Sequence, residues 1–522
     1  MPSRLIGNKW LIAIPVMLAA LTAVLDASIV NVAIPSMQSS FGAAVDEIDW
    51  VITGYLISSV VVIPATGWLS SVFGLRNYFI VSQVVFIGAS VLCGLSWSLG
   101  SLVFFRVLQG LGGGAILPVT LTILLEAFPP QEFGMASALY GIGAVLGPAI
   151  GPTLGGYLTD TFSWPMIFYV NVPLVGASLL TTYLFIHENR ELTAKRGAAP
   201  IDYWGLIFVT IWLGTLQVVL QEGQKDDWFQ SPFIFWLSVT SLLGFAAFMF
   251  VELTDPHPLI NVRIFANRNF TLGSLGGAVL GAALFGMLFL VPLFTGNLLN
   301  YTALEIGTLL LPAALVSLVG FPIVGRMSSF VDSRILFAAG LVIFAIALYM
   351  QSKMDLTYSW TQMMLIQMVR GASLPFMFTS LGALALTTLK PKERADGSSL
   401  FNLTRTLGGS FGIAVLATLL VNRQHFHFER FGESITQFGS AARAQVAAIT
   451  HGFIARGGFD ANTASHQALQ AVFGRLTAQS YVAAFSDCAL GLGLLLVITL
   501  FTIPFFSPPP RSSQAHAPAP AE

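Results

Sequence analysis

Long apolar runs separated by brief polar turns set the pattern of this chain. Fourteen such runs lie at 10 to 35, 48 to 70, 77 to 95, 99 to 125, 135 to 159, 166 to 186, 203 to 221, 233 to 252, 270 to 294, 305 to 327, 334 to 352, 361 to 389, 395 to 420 and 480 to 505. A helix needs about 20 residues to cross roughly 30 Å of hydrocarbon, so the pattern predicts fourteen membrane spans. The polar segment 421 to 479 breaks the rule of short turns; its stretches AARAQVAAITHGFIA and HQALQAVFGRLTAQSY favour helix and are partly amphipathic. The tail SPPPRSSQAHAPAPAE has the composition of a disordered segment. Arg4 and Lys9 before the apolar run Trp10 to Leu25 could mimic a secretory signal. The run is too long for one and lacks a nearby small-residue cleavage site, so it is assigned as span one.

An internal repeat organises the spans. The turn after span two reads GWLSSVFGLRNYF from Gly67, and the turn after span ten reads GRMSSFVDSRILF from Gly325. Gly, both Ser, Arg and Phe coincide at constant spacing, so spans one to six correspond to spans nine to fourteen. Spans seven and eight then form an insertion. The expected domains are a six-helix bundle at 1–190, inserted helices with linkers at 191–265, a second six-helix bundle at 266–505 that carries the 421–479 segment, and a tail at 506–522. The polar stretch 187 to 202 marks the first boundary.

Charge settles the solvent and the orientation. Only 9% of the 522 residues are charged against 55% hydrophobic, where a soluble domain carries about a quarter charged. The formal net charge of -1 argues against a nucleic-acid partner. With both termini cytoplasmic, fourteen of the 24 Lys and Arg fall on the cytoplasmic side, among them Arg76, Arg263, Arg268, Arg326 and Arg334. Cys93 and Cys488 lie far apart in apolar runs, and His425 with His427 is too small a set for a metal site. No cofactor or metal is expected.

Four motifs give the chain a family resemblance: LDASIVNVAIP in span one, the turn after span two, FFRVLQGLGGG in span four and GIGAVLGPAIGPTLGG in span five. Together they resemble the major facilitator superfamily, specifically its fourteen-helix drug:proton antiporters of the EmrB/QacA type, over nearly the whole length. The resemblance implies an all-α integral membrane fold of two pseudo-symmetric six-helix bundles plus two inserted helices. It implies export of hydrophobic or amphiphilic drugs and toxic compounds across a bacterial inner membrane, by alternating access and driven by the proton gradient. It also suggests that the outer segment contacts a periplasmic adaptor leading to an outer-membrane channel; a solvated or membrane-surface flap is the other reading. Two positions depart from the family. Ser71 stands where the gating turn usually carries an acid, and Gly296 replaces a Gln.

Asp26 is the leading candidate for chemistry, because a carboxylate inside a span costs a few kcal/mol and is retained for function. It lies roughly 24 Å along span one from Trp10, while Arg106 lies roughly 9 Å into span four from the opposite side, so the two share a depth. The expected role is proton binding at Asp26 tuned by Arg106; a fixed ion pair locking the two spans is the structural alternative. Arg370 and Arg405 fall near the midplane and, with Asn31, Gln109 and Asn402, are candidates for a substrate cavity suited to amphiphilic or anionic compounds. Pairing of the two arginines with Asp487 or with helix carbonyls is the competing reading. Gly143, Gly147, Gly151 and Gly155 recur every fourth residue, with Gly156 beside them and Pro148 and Pro152 as kinks. That stripe is expected to form either a bending contact between the halves or static packing. Gly67, Gly74, Arg76, Gly325 and Arg334 are the gating-turn candidates, the arginines holding helix C-terminal carbonyls. A dedicated exporter of one metabolite, siderophore or lipid is the runner-up function. A membrane-embedded enzyme would need clustered His, Cys or carboxylates, and a sensor a soluble output domain; neither is visible.

Overall fold

The computed structural model describes residues 5–188, 202–256, 258–433, 440–457 and 460–507. The 187 to 202 boundary and the tail therefore fall largely outside the described residues, as do Arg4, Arg190, Lys195, Arg196 and Arg511. Fourteen helices are long and apolar enough to cross a membrane. They run Lys9–Phe41, Asp46–Phe73, Leu75–Gly94, Leu99–Ala127, Pro130–Thr161, Met166–Phe185, Tyr203–Glu222, Pro232–Thr254, Arg268–Leu299, Leu304–Met327, Ser333–Gln351, Trp360–Leu386, Arg394–Gly432 and Ala461–Phe505, and are numbered span one to span fourteen. Leu5–Ile6 pairs antiparallel with His187–Glu188, fastening the start of span one to the end of span six.

Helix ends follow local chemistry. Asn8 caps span one through its side chain, and Gly42, at φ 61°, closes it with an N–H bond to the Gln38 carbonyl. Thr302 with Glu305 and Ser359 with Gln362 form capping boxes at the starts of spans ten and twelve. Two helices outrun their apolar stretches. The span-thirteen helix is 39 residues long and that of span fourteen is 40, so each covers about 60 Å, twice the hydrocarbon thickness. The segment 421 to 479 is thus largely a continuation of the spans themselves, joined through a helix at Ser440–Gly457. Helix propensity carried past the polar boundary because nothing between 420 and 432 breaks it.

The repeat reappears as a pair of symmetric contacts at the end that carries both turns. Gly67, at the end of span two, lies against Asp396 at the start of span thirteen. Its repeat partner Gly325, at the end of span ten, lies against Met135 and Ala138 at the start of span five, and Ser328 fills the space beside Gly134. Further bonds join the halves there. Ser398 Oγ donates to the Pro118 carbonyl at 2.9 Å, and Tyr140 Oη donates to Asn402 Oδ1.

Spans seven and eight break the symmetry. Span seven and the turn after it cover the seam between spans two and thirteen, where Thr53 Oγ1 donates to Glu222 at 3.3 Å, Ser410 Oγ to Gln217 Oε1 at 3.2 Å and Trp228 Nε1 to Thr418 at 3.0 Å, while span eight packs on span seven. Among the described residues, neither inserted helix makes a comparable contact with the equivalent seam between spans five and ten.

Candidate functional site: a buried carboxylate cluster

Small residues bring the site together. Gly54 of span two lets Val103 and Val107 of span four approach, and a Cβ on Gly110 would sit 2.5 Å from the Tyr55 carbonyl oxygen. On the other side a Cβ on Gly147 would lie 2.7 Å from the Leu25 nitrogen, next to Asp26. Glycine is what these close backbone approaches require. Arg106 and Gln109, three apart on span four, share a face and both reach Asp26.

Asp26 and Arg106 are 0% and 1% exposed, and Arg106 Nη1 lies 2.7 Å from Asp26 Oδ2. Asp26 Oδ1 accepts from Gln109 Nε2 at 2.9 Å and from Asn171 Nδ2 at 2.6 Å. The guanidinium also donates from Nη1 to Gln109 Oε1 at 2.6 Å and from Nε to the Val51 carbonyl at 3.1 Å. Its face lies 4.3 Å from the Tyr55 ring centroid, a cation–π contact in a dry setting. Gln109 Nε2 further donates to Ser90 Oγ at 2.7 Å. Five spans of the first half thus converge on one carboxylate. Burying such a pair is favourable only when the remaining polar atoms are satisfied, and here three donors hold the two carboxylate oxygens.

Depth arithmetic anticipated that Asp26 and Arg106 could meet. Gln109, a cavity candidate, sits in this cluster instead, because its amide bridges acid, base and Ser90. Asn171 was missed, although it lies about 8 Å into span six from Met166, a depth matching that of Arg106. Tyr55 and Ser90 carry no sequence signal that separates them from packing residues.

A second polar centre lies between the halves. Arg405 is 3% exposed, its Nη2 donates to Asn402 Oδ1 at 3.0 Å, and its guanidinium faces the Tyr140 and Phe378 rings at 5.2 and 5.5 Å. Arg405 Nη1 has no hydrogen-bond partner among the described residues. The same holds for Nη1 of Arg370, which is 5% exposed on span twelve. Asp487 does not pair with either arginine. It is engaged by Arg423 Nε at 2.6 Å and His427 Nε2 at 2.7 Å, because the span-thirteen helix continues past its expected end. Asn31 is exposed, five residues beyond Asp26.

Apart from Gly67 and Gly325, which meet the opposite half, the remaining candidates make their contacts within their own halves. Gly143, Gly147, Gly151 and Gly155 pack on Ala20, Leu25, Ser28 and Ile29 of span one, so the stripe is not a contact between the halves; other faces of span five make that contact. Gly156 and Pro148 are buried on the same helix, and Pro152 is partly covered. Arg76 Nη2 does bond a carbonyl near a helix end, that of Tyr183 at 3.2 Å, but span six belongs to its own half. Arg334 meets Asp332, the cap of its own helix, at 3.7 Å. Gly74, at φ 82°, takes the left-handed turn that lets Leu75 N donate to Glu188 Oε1 at 2.9 Å. Ser71 leaves the turn without an acid of its own, and Asp396 stands against that turn from the other half. Among the described residues no cluster of three His, Cys, Asp or Glu could hold a metal ion.

Comparison with known proteins bears on this arrangement. Residues 16–413 match the family model described as Major Facilitator Superfamily. The Multidrug export protein EmrB of Haemophilus influenzae is 32% identical over 514 residues, 97% of each chain. The Escherichia coli protein of the same name is 34% identical over 440 residues, 83% of this chain and 84% of its own. The Fatty acid resistance protein FarB of Neisseria gonorrhoeae is 30% identical over 496 residues, 95% of each. Among solved structures, the human organic anion transporter MFSD10 superimposes with a TM-score of 0.62 at 12% identity, covering 95% of this chain and 100% of that one. At that identity the likeness concerns the fold.

Proposed function

The chain belongs to the Major Facilitator Superfamily, in its EmrB-type branch, and from that premise we propose that it exports hydrophobic and amphiphilic compounds in exchange for protons. The observation that carries this reading is the Asp26 cluster. A carboxylate enclosed by Arg106, Gln109 and Asn171 keeps or sheds a proton according to how those donors are arranged. Asn171 comes from span six and Gln109 from span four, so a movement that parts these spans from span one changes the proton affinity of Asp26. The proton gradient is the drive, and no cofactor enters the scheme.

Arg370, Arg405 and Asn402 form the substrate-facing part of the reading. Two buried guanidinium groups with unmet donors favour compounds that bring negative charge or acceptors. The relatives named for multidrug export and for fatty acid resistance are consistent with such a range. We place the protein in a bacterial inner membrane with the paired turns and both termini cytoplasmic, which makes the packed end the cytoplasmic gate. The extended ends of spans thirteen and fourteen then stand in the periplasm, where a periplasmic adaptor and an outer-membrane channel would meet them.

Reconstituted vesicles test the central claim. Movement of an amphiphilic dye into the lumen should alkalise it in step with transport, because each proton exchanged leaves as dye enters. Asp26→Asn should lower gradient-driven export at least about tenfold while leaving membrane insertion and the detergent-solubilised elution profile unchanged. Undiminished export by that variant removes Asp26 from the coupling.

A further inference from the structure

Between spans one, five and ten, at the end that carries the paired turns, lies a groove of about 410 Å³. Its walls are apolar, formed by Met135, Ala138, Leu139 and Ile142 of span five and Pro322 of span ten. Its end is polar: Arg326 and Ser329 from span ten and its turn, with the Lys9 and Glu132 ion pair opposite. That volume falls within the usual range for small-molecule pockets. Trp10 stands at the mouth, half exposed, and Ile14 one turn along and Ile323 beside Pro322 are also exposed. An apolar rim of this kind on a membrane-spanning surface faces hydrocarbon, not water.

Three observations assign an occupant. The groove has the shape of a single-chain amphiphile, apolar along its length and cationic at one end. Arg326 is exposed and has no acidic partner among the described residues, whereas Lys9 is neutralised by Glu132. The net charge offered to a head group is therefore positive. The third is asymmetry: span seven bonds across the repeat-related seam between spans two and thirteen, whereas at this seam Trp10, Ile14 and Ile323 are exposed.

The groove also borders the interior. Phe321, next to Pro322, is fully buried against Gly141, and its ring lies 6.2 Å from that of Phe378, which in turn faces Arg405 at 5.5 Å. Two aromatic rings separate the groove from the inter-half guanidinium. We propose that this groove receives single-chain anionic amphiphiles from the membrane leaflet on the turn side, with Arg326 holding the head group and Phe321 closing the way to Arg405. The assignment of that leaflet as the cytoplasmic one rests on the function proposed above.

A photoreactive diazirine fatty acid, with the full chain in lipid nanodiscs, tests this. Peptide mapping should place label on 135–142 and 322–329, competed by unlabelled laurate. Arg326→Gln, at an exposed position, and Ile142→Trp, which fills the groove, should each lower that labelling at least fivefold. Equal labelling in Arg326→Gln overturns the proposal, as does equal displacement by a diacyl phosphatidylglycerol, which would mean a resident two-chain lipid only. Asp26→Asn separates the two claims. It should keep the groove labelling while losing coupled export, so continued export by that variant sinks the coupling scheme alone, and lost groove labelling in the wild type sinks the groove alone.

Discussion

Arg106 makes Asp26 tolerable inside the bundle, and each holds the other in a way a shorter or differently shaped cation cannot copy. Its fork reaches Asp26, Gln109 and the Val51 carbonyl at once while its face rests on Tyr55. An ammonium is a point charge on a flexible stem and cannot span those partners. Arg106→Ala should therefore destabilise the detergent-solubilised protein by about 3–5 kcal/mol, as expected when a buried ion pair loses one member. The half-exposed Arg423 at Asp487 is the comparison: Arg423→Gln should cost about 0–1 kcal/mol in the same thermal unfolding measurement. Sequence could bring Asp26 and Arg106 to one level because helix rise converts position into depth. It could not tell that Gln109 turns toward the acid while Asn402 turns toward Tyr140, since the azimuth of a side chain across two helices is fixed by packing that spacing does not encode.

Helices here succeed or fail by what their glycines meet. Gly147 has the span-one backbone 2.7 Å from where a Cβ would be, whereas Gly176 of span six has nothing within 4 Å. Gly147→Ala should lower thermal stability by about 1–3 kcal/mol and Gly176→Ala should leave the melting temperature unchanged. The stripe itself was readable from its four-residue period; its partner was not, because the same period suits any neighbouring helix. Span fourteen offers a second test. Asp460 caps that helix, and its hydrogen bonds from Thr463 and Asn462 hold the carboxyl below the usual range. A carboxyl lowered by folding contributes its cap at neutral pH, down through the unfolded carboxylate pKa near 3.9, and loses it as pH falls through the lower folded value. Asp460→Ala should speed amide exchange at Asn462 and Thr463 at neutral pH, with the rest of the helix protected as before. The extension of spans thirteen and fourteen beyond 420 and before 480 was the main element that hydropathy hid. Its polar faces end the apolar run without ending the helix.

At the scale of the molecule, the repeat expresses itself as two related contacts that shut one end. Ser137 Cβ lies 3.0 Å from where a Cβ on Gly382 would sit, joining span five to span twelve across the halves. A Ser137→Cys, Gly382→Cys pair should form a disulfide on oxidation and stop export if the halves must part there, with recovery on reduction; export that continues through the locked form would mean that this end never opens. Neither native thiol interferes, since Cys93 and Cys488 are both buried. The long helices of spans thirteen and fourteen add a mechanical consequence. About 18 Å of the span-thirteen rod, from 420 to Gly432, projects beyond the apolar run, rigidly continuous with the half that tilts. A rotation of about 10° sweeps such a tip through roughly 3 Å, so the rods work as a lever whose fulcrum is the bilayer. Whatever grips them feels each turnover as a push.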